Sequence, residues 1–229
     1  MPKSVFDPFD TDRFGNLDAN LMFLETEGLL RGSLRVLEIG SGRGTLLSRL
    51  RAHGVDAVGI EPNAGLAIDA VRRDPPLPVA RMSGDRLGFQ DATFDLVLSF
   101  DVFEHIADSD AHLGEVRRVL RPGGIYALQT PNKWTNSVFE TIRWRSFTAW
   151  RKDHCALHSL TELRQRLRTH GFEPVFRDVP VVNDFFREKL RRYVGPAGPA
   201  LLRVANPDRW PQKFRTNFYV VARRGGESD

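Results

Sequence analysis

Three glycines at alternate positions, Gly40, Gly42 and Gly44, follow an apolar run and stand beside an acid, Glu38. Glycine lacks a Cβ and tolerates positive φ, so such a turn lets backbone N–H groups come close to a ligand. The spacing G-x-G-x-G differs from the G-x-G-x-x-G of dinucleotide binders, because Thr45 stands where the last glycine would be. This disfavours a nicotinamide-dependent oxidoreductase. No Gly-Lys-Ser/Thr follows, so the turn is not a P-loop either. Glu38 would repel a pyrophosphate and would attract a cationic group such as an ammonium or a sulfonium.

A second carboxylate, Glu61, ends the next apolar run and is followed by Pro62. In an open α/β sheet a carboxylate at that place accepts the hydroxyls of a ribose. Asp85, in Gly84-Asp85-Arg86-Leu87, can accept the amino group of an adenine. Ser99-Phe100-Asp101 closes a further apolar run and falls on the rim of the same crevice. His105, His154 and His158 are candidates for proton transfer, since a histidine near neutrality can take a proton from a hydroxyl. Trp134, Arg143 and Trp144 are candidates to line an acceptor. Plain structural readings stand beside these: Glu61 as a helix-start carboxylate, Asp85 as a turn former, the tryptophans as packing and the basic run at 187–192 as a solvated helix face.

The elements that must position these residues alternate in type. Residues 35–39, 56–60, 78–82, 94–100 and 125–129 read as strands. Residues 44–51, with Leu46, Leu47 and Leu50 at helical spacing, read as a helix. Pro62 reads as the first turn of another helix. A helix from about Asp108 carries Leu113, Val116 and Leu120 and ends at Pro122-Gly123-Gly124. Ser159-Leu160-Thr161-Glu162 has the form of a capping box, with Leu163 and Leu167 behind it. Strands are expected at 172–182 and 214–222. The order implies a mostly parallel sheet with helices on both faces. Residues 1–229 read as a single domain with an N-terminal helical segment at 1–33. Segments at about 133–158 and 183–212 are too long for plain connections and read as covers over the pocket.

Composition narrows the class. The chain has 229 residues and no run of apolar residues long enough to span a bilayer. The stretch after Met1 is broken by Pro2, Lys3 and Asp7, so it lacks a signal-peptide core and a cytoplasmic protein is expected. One cysteine, Cys155, excludes an internal disulfide and a cysteine-based zinc cluster. Residues 1–132 hold 14 Lys/Arg against 19 Asp/Glu, whereas residues 133–224 hold 19 against 8. A basic second half suits an anionic partner.

Taken together, LEIGSGRG, FDLVLSFDVFEHI, LRPGG and HSLTELRQRLRTHGFEPV resemble the class I (Rossmann-like) S-adenosylmethionine-dependent methyltransferases. The resemblance is strongest to the small-molecule branch that includes the ubiquinone-biosynthesis O-methyltransferases, and it covers about residues 30–182 with a last strand near 214–222. It implies an α/β fold whose seven-stranded sheet has the order 3-2-1-4-5-7-6, one strand antiparallel. It implies S-adenosylmethionine as cofactor, with S-adenosylhomocysteine as product. It also implies contacts from Glu38, Gly40, Ser41, Gly42, Gly44, Glu61, Pro62, Asp85, Arg86, Ser99 and Phe100. Arg86 departs from the pattern, since relatives often carry an acidic or small residue after the aspartate.

The expected reaction is methyl transfer to an oxygen of a small molecule: a sugar, phenol or natural-product hydroxyl, anionic or lipid-linked. No metal is required. A nucleic-acid acceptor is the alternative within enzymes, disfavoured because no Asn/Asp-Pro-Pro-Tyr/Phe motif follows the fourth strand. A non-catalytic module that binds the cofactor or a partner is the alternative outside them. Phe185-Phe186 beside REKLRRY reads as a basic amphipathic stretch, which suits peripheral membrane contact. The pattern carries no signature of oligomeric state.

Overall fold

A computed structural model describes residues 16–144 and 155–226. Its strands are β1 (Arg35–Ile39), β2 (Asp56–Ile60), β3 (Val79–Ala80), β4 (Phe94–Phe100), β5 (Leu120–Pro131), β6 (Phe172–Arg177) and β7 (Asn217–Arg224). They form one seven-stranded sheet in the order β3-β2-β1-β4-β5-β7-β6. β1 to β5 run parallel, and β7 is antiparallel to both of its neighbours.

Alternation along the strands builds two cores. Val36 of β1, Leu96 and Leu98 of β4, and Tyr219 of β7 pack with α1 (Leu17–Thr26) and α2 (Thr45–Ala52). Leu37 and Ile39, Val97, and Phe218 and Val220 point the other way, onto α4 (Ser109–Val119) and α6 (Leu160–Thr169). Successive side chains of a strand face opposite sides, so one short apolar run serves both layers. The remaining helices among the described residues are α3 (Ala64–Val71), α5 (Lys133–Trp144), α7 (Asp184–Val194) and the four-residue α8 (Gly198–Leu201). Among the described residues no helix is long and apolar enough to cross a membrane.

The capping box at α6 forms as its sequence predicts. The Ser159 amide donates to Glu162 Oε2 at 2.7 Å, and the Glu162 amide donates to Ser159 Oγ at 3.3 Å. Four expectations need correction. Pro62 does not open α3: Asn63 caps it, its Oδ1 accepting from the amides of Gly65 and Leu66, and the helix starts at Ala64. Pro122-Gly123-Gly124 does not end α4. The helix stops at Val119, because the carbonyls of Arg118 and Val119 accept from Ala92 and Thr93, and the three residues lie inside β5. The strand expected at 172–182 ends at Arg177; beyond it the amides of Val181 and Val182 turn to the carboxylate of Asp208. The last strand starts later and runs further than 214–222, since Gln212–Phe214 forms a 3-10 turn and Arg224 still pairs with Phe172.

Candidate active site

The glycine turn leaves the carboxyl end of β1 at the point where β4 departs on its other side. Gly40 has φ 73°, and a Cβ there would sit 2.3 Å from Val102 Cγ2. Gly44 has φ 77°, and a Cβ there would sit 2.3 Å from Leu77 Cδ1. Both positions therefore need glycine twice over, for the left-handed backbone and for the space. The amides of Gly40 and Ser41 donate to the carbonyl of Ile60 at 2.8 and 3.0 Å, which pins the turn against β2.

Glu61 stands just past β2 and is 7% exposed. Its Oε2 accepts from the Gly42 amide at 3.0 Å, and its Oε1 accepts from the Asn63 amide at 2.8 Å. A carboxylate offers about four acceptor positions, so two remain for further donors. Glu38, near the end of β1, is also buried, and its Oε2 has no hydrogen-bond partner. Burial first, and then the charge of Glu61, push its carboxyl up to about 8, while the Leu47 amide opposes them. A buried, unpartnered carboxyl is costly, and an arriving cation relieves that cost.

The turn after β3 carries Asp85, which accepts a short hydrogen bond from Ser83 Oγ. Arg86 beside it is exposed, and so is Pro62. His112 of α4 holds this turn from below. It is fully buried, its Nδ1 lies 2.7 Å from the Gly84 carbonyl and its Nε2 lies 2.9 Å from the Tyr126 hydroxyl. A carbonyl only accepts, so Nδ1 carries the proton and Nε2 accepts from Tyr126. Burial lowers the imidazole to about 4 and keeps it neutral. His112 escaped the sequence reading. Its helical spacing to Val116 and Val119, both buried, was the available signal of a polar group turned into the core.

At the end of β4, Ser99 is fully buried and Phe100 meets Phe23 edge-on at 6.2 Å. Asp101 follows at φ 53°, uncommon outside glycine. Its amide donates to Gln129 Oε1 at 2.9 Å, and its Oδ2 accepts from Asn16 Nδ2 at 2.9 Å. Glu104 is buried and accepts from Thr130 Oγ1 at 3.0 Å. Burial first, then the charge of Asp101, raise its carboxyl to about 8.

The histidine candidates separate. His105 is exposed, with Nε2 at 4.0 Å from Glu104 Oε1. His158 is buried against Phe103, at 5.4 Å between ring centroids, and its Nδ1 has no partner. Burial first, and then the charge of Arg166, lower its pKa and hold it neutral. His154 lies outside the described residues. Trp134 opens α5 and is 61% exposed, while Arg143 and Trp144 occupy the last turn of that helix. Glu38, Glu61, the glycine turn, Ser99, Asp101 and Glu104 thus gather at the carboxyl edge around β1 and β4. A cavity of about 430 Å³ lies instead at the opposite edge, lined by Arg31, Asp95, Arg121 and Arg223.

Comparison with known proteins bears on the family and the fold. A family model described as a methyltransferase domain matches residues 9–176. A ubiquinone biosynthesis O-methyltransferase of Cereibacter sphaeroides is 31% identical over 169 residues, 66% of this chain and 64% of that protein. A protein of the same description from Rhizobium rhizogenes is 35% identical over 104 residues, 44% of this chain and 42% of that protein. A demethylmenaquinone methyltransferase of Beutenbergia cavernae is 32% identical over 115 residues, 50% of this chain and 45% of that protein. The matched stretches span about half the length of these relatives. Among solved structures, an S-adenosylmethionine-dependent methyltransferase from Mesorhizobium loti superposes with TM-score 0.63 at 16% identity, over 91% of this chain and 100% of that one. One from Methanosarcina mazei superposes with TM-score 0.62 at 17% identity, over 89% and 98%. These two share the fold.

Proposed function

This chain belongs to the S-adenosylmethionine-dependent methyltransferases, and from that premise we propose that it methylates an oxygen of a small-molecule acceptor, with the residues of the carboxyl edge as its cofactor site. The observation that carries the site assignment is the unpartnered Oε2 of buried Glu38 beside a glycine turn packed too tightly for a Cβ at Gly40 or Gly44. A cationic ligand supplies what Glu38 lacks.

In this reading Glu38 faces the positive charge of the methionine portion, with the backbone of Gly40, Ser41, Gly42 and Gly44 closing around it. Glu61 accepts the two ribose hydroxyls with the lone pairs that Gly42 and Asn63 leave free, and Pro62 lies along the ribose. Asp85 accepts the adenine amino group, with Arg86 alongside. Ser99 and Phe100 floor the crevice toward the acceptor. When bound, the cofactor supplies an activated methyl group on a sulfonium, so the protein's main work is to hold the acceptor in line.

The acceptor's proton passes to His158. That role is supported by a neutral imidazole whose Nδ1 has no partner, next to the ends of β4 and β5. Trp134, near the start of α5, lines the acceptor side. The oxygen acceptor is supported by the relatives described as ubiquinone biosynthesis O-methyltransferases.

Calorimetric titration tests the site. S-adenosylmethionine and S-adenosylhomocysteine should bind at micromolar concentration, NADH should not, and Glu61→Ala should lose both. Absence of binding by either cofactor form to the wild type would refute the assignment.

A further inference from the structure

Exposed large apolar side chains recur on two segments, residues 201–214 and α5. Leu201 (53%), Val204 (93%), Trp210 and Phe214 are exposed within the stretch from α8 to the 3-10 turn before β7. Trp134 and Val138, one helical turn apart on α5, are exposed as well. The start of α5 is tied to the end of the first segment, beside Phe214: Asn132 Nδ2 donates to the carbonyls of Lys213 and Arg215, and Thr135 Oγ1 donates to that of Arg215. These residues follow the carboxyl end of β5, on the acceptor side of the sheet.

The charges of this stretch have one dominant sign. Residues 183–215 hold eight Lys/Arg against three Asp/Glu. Arg187, Arg191, Arg192, Arg203, Arg209 and Lys213 are exposed, and the Lys213 ammonium lies 4.9 Å above the Phe214 ring. Asp208 is turned inward, each oxygen taken by a backbone amide. Glu188 is paired with Arg191. Aliphatic side chains exposed among cations, with tryptophan beside them, are the makings of an interfacial surface: the apolar groups enter the headgroup boundary and the cations meet anionic lipid. Leu201 and Val204 have no ring to stack on a base, which favours lipid over nucleic acid.

We propose that the α8-to-β7 segment, with the outer face of α5, docks the protein on an anionic lipid bilayer, the acceptor side toward the membrane. The cofactor assignment is not needed for this, and either can fail alone.

The test is co-sedimentation of the full chain with vesicles, of phosphatidylcholine alone or with one third phosphatidylglycerol. Binding to the anionic vesicles should exceed binding to the neutral ones by at least about tenfold, since each cation near such a surface strengthens it about fivefold. Leu201→Asp with Val204→Asp should remove most of the binding, and Arg203→Glu with Lys213→Glu should remove the preference for phosphatidylglycerol. Both variants should keep the wild-type melting temperature and cofactor affinity, which separates lost docking from lost folding. The proposal fails if the chain ignores both vesicles or if the apolar pair changes nothing. It also fails if that pair instead abolishes self-association in sedimentation or retention of single-stranded RNA.

Discussion

Glu38 and Glu61 approach one glycine turn from neighbouring strands and share its surroundings unequally. Glu61 takes the amides of Gly42 and Asn63, whereas Glu38 keeps one oxygen without a partner and holds its proton up to about pH 8. Two acids of the same edge are therefore held differently, and the state of Glu38 is testable.

A cation beside Glu38 favours its ionised form, so binding of S-adenosylmethionine should release a proton below about pH 8. Affinity should rise about tenfold per pH unit on approach to that value and flatten above it. Calorimetry in two buffers of unlike ionisation enthalpy reads the proton directly. Glu38→Gln should abolish the release, and a pH-independent wild-type affinity would contradict the role of Glu38.

Glu104 gives a stability prediction of definite sign. Its carboxyl sits at about 8 when folded, against the ordinary 4.5. Between those values the unfolded chain has lost a proton that the folded chain keeps, so stability must fall as pH rises across the interval. Glu104→Gln keeps an acceptor for Thr130 Oγ1 and removes the titration. It should melt above the wild type at about pH 9 and show no such gain at about pH 5. Equal melting at both pH values would show that Glu104 titrates normally.

Gly40→Ala puts a methyl group 2.3 Å from Val102 Cγ2 at φ 73°. The strained backbone alone costs about 1–3 kcal/mol. The variant should melt lower and lose cofactor binding together, whereas Gly54→Ala, which meets nothing within 4 Å at φ 76°, should melt lower with cofactor binding intact.

His112→Leu removes the buried partner of the Gly84 carbonyl and one partner of the Tyr126 hydroxyl. A loss of about 2–4 kcal/mol in denaturant unfolding is expected, within the range for orphaned buried polar groups. The Asp85 turn rests on that carbonyl, so affinity for the cofactor should fall as well. Unchanged affinity in the folded variant would mean that Asp85 is positioned without His112.

Much of the sheet was legible because parallel strands buried on both faces leave near-continuous apolar runs, as FDLVLSF does. The errors fell where a long-range pairing outvoted a local signal. Pro122-Gly123-Gly124 looks like a helix stop, but the residues before β4 claim the carbonyls at 118 and 119 and draw the chain into β5 first. Val181 and Val182 look like strand, but Asp208, 26 residues on, takes their amides. In the site, Glu38 and Glu61 could be read from their places beside the glycines. The partnership of His112 with Gly84 and Tyr126 could not, because it joins three elements whose approach only the folded sheet defines.

The place of β7 between β5 and β6 fixes an order of assembly during synthesis. Among the described residues β6 pairs only with β7, and β7 follows the other six strands of this sheet in the chain. Until then β6 has no strand to pair with, and the exposed flank of β5 waits with half its hydrogen bonds unmade. The nascent chain must therefore hold the glycine turn and its two acids in an open five-stranded sheet, and it closes that edge from the inside with the final strand.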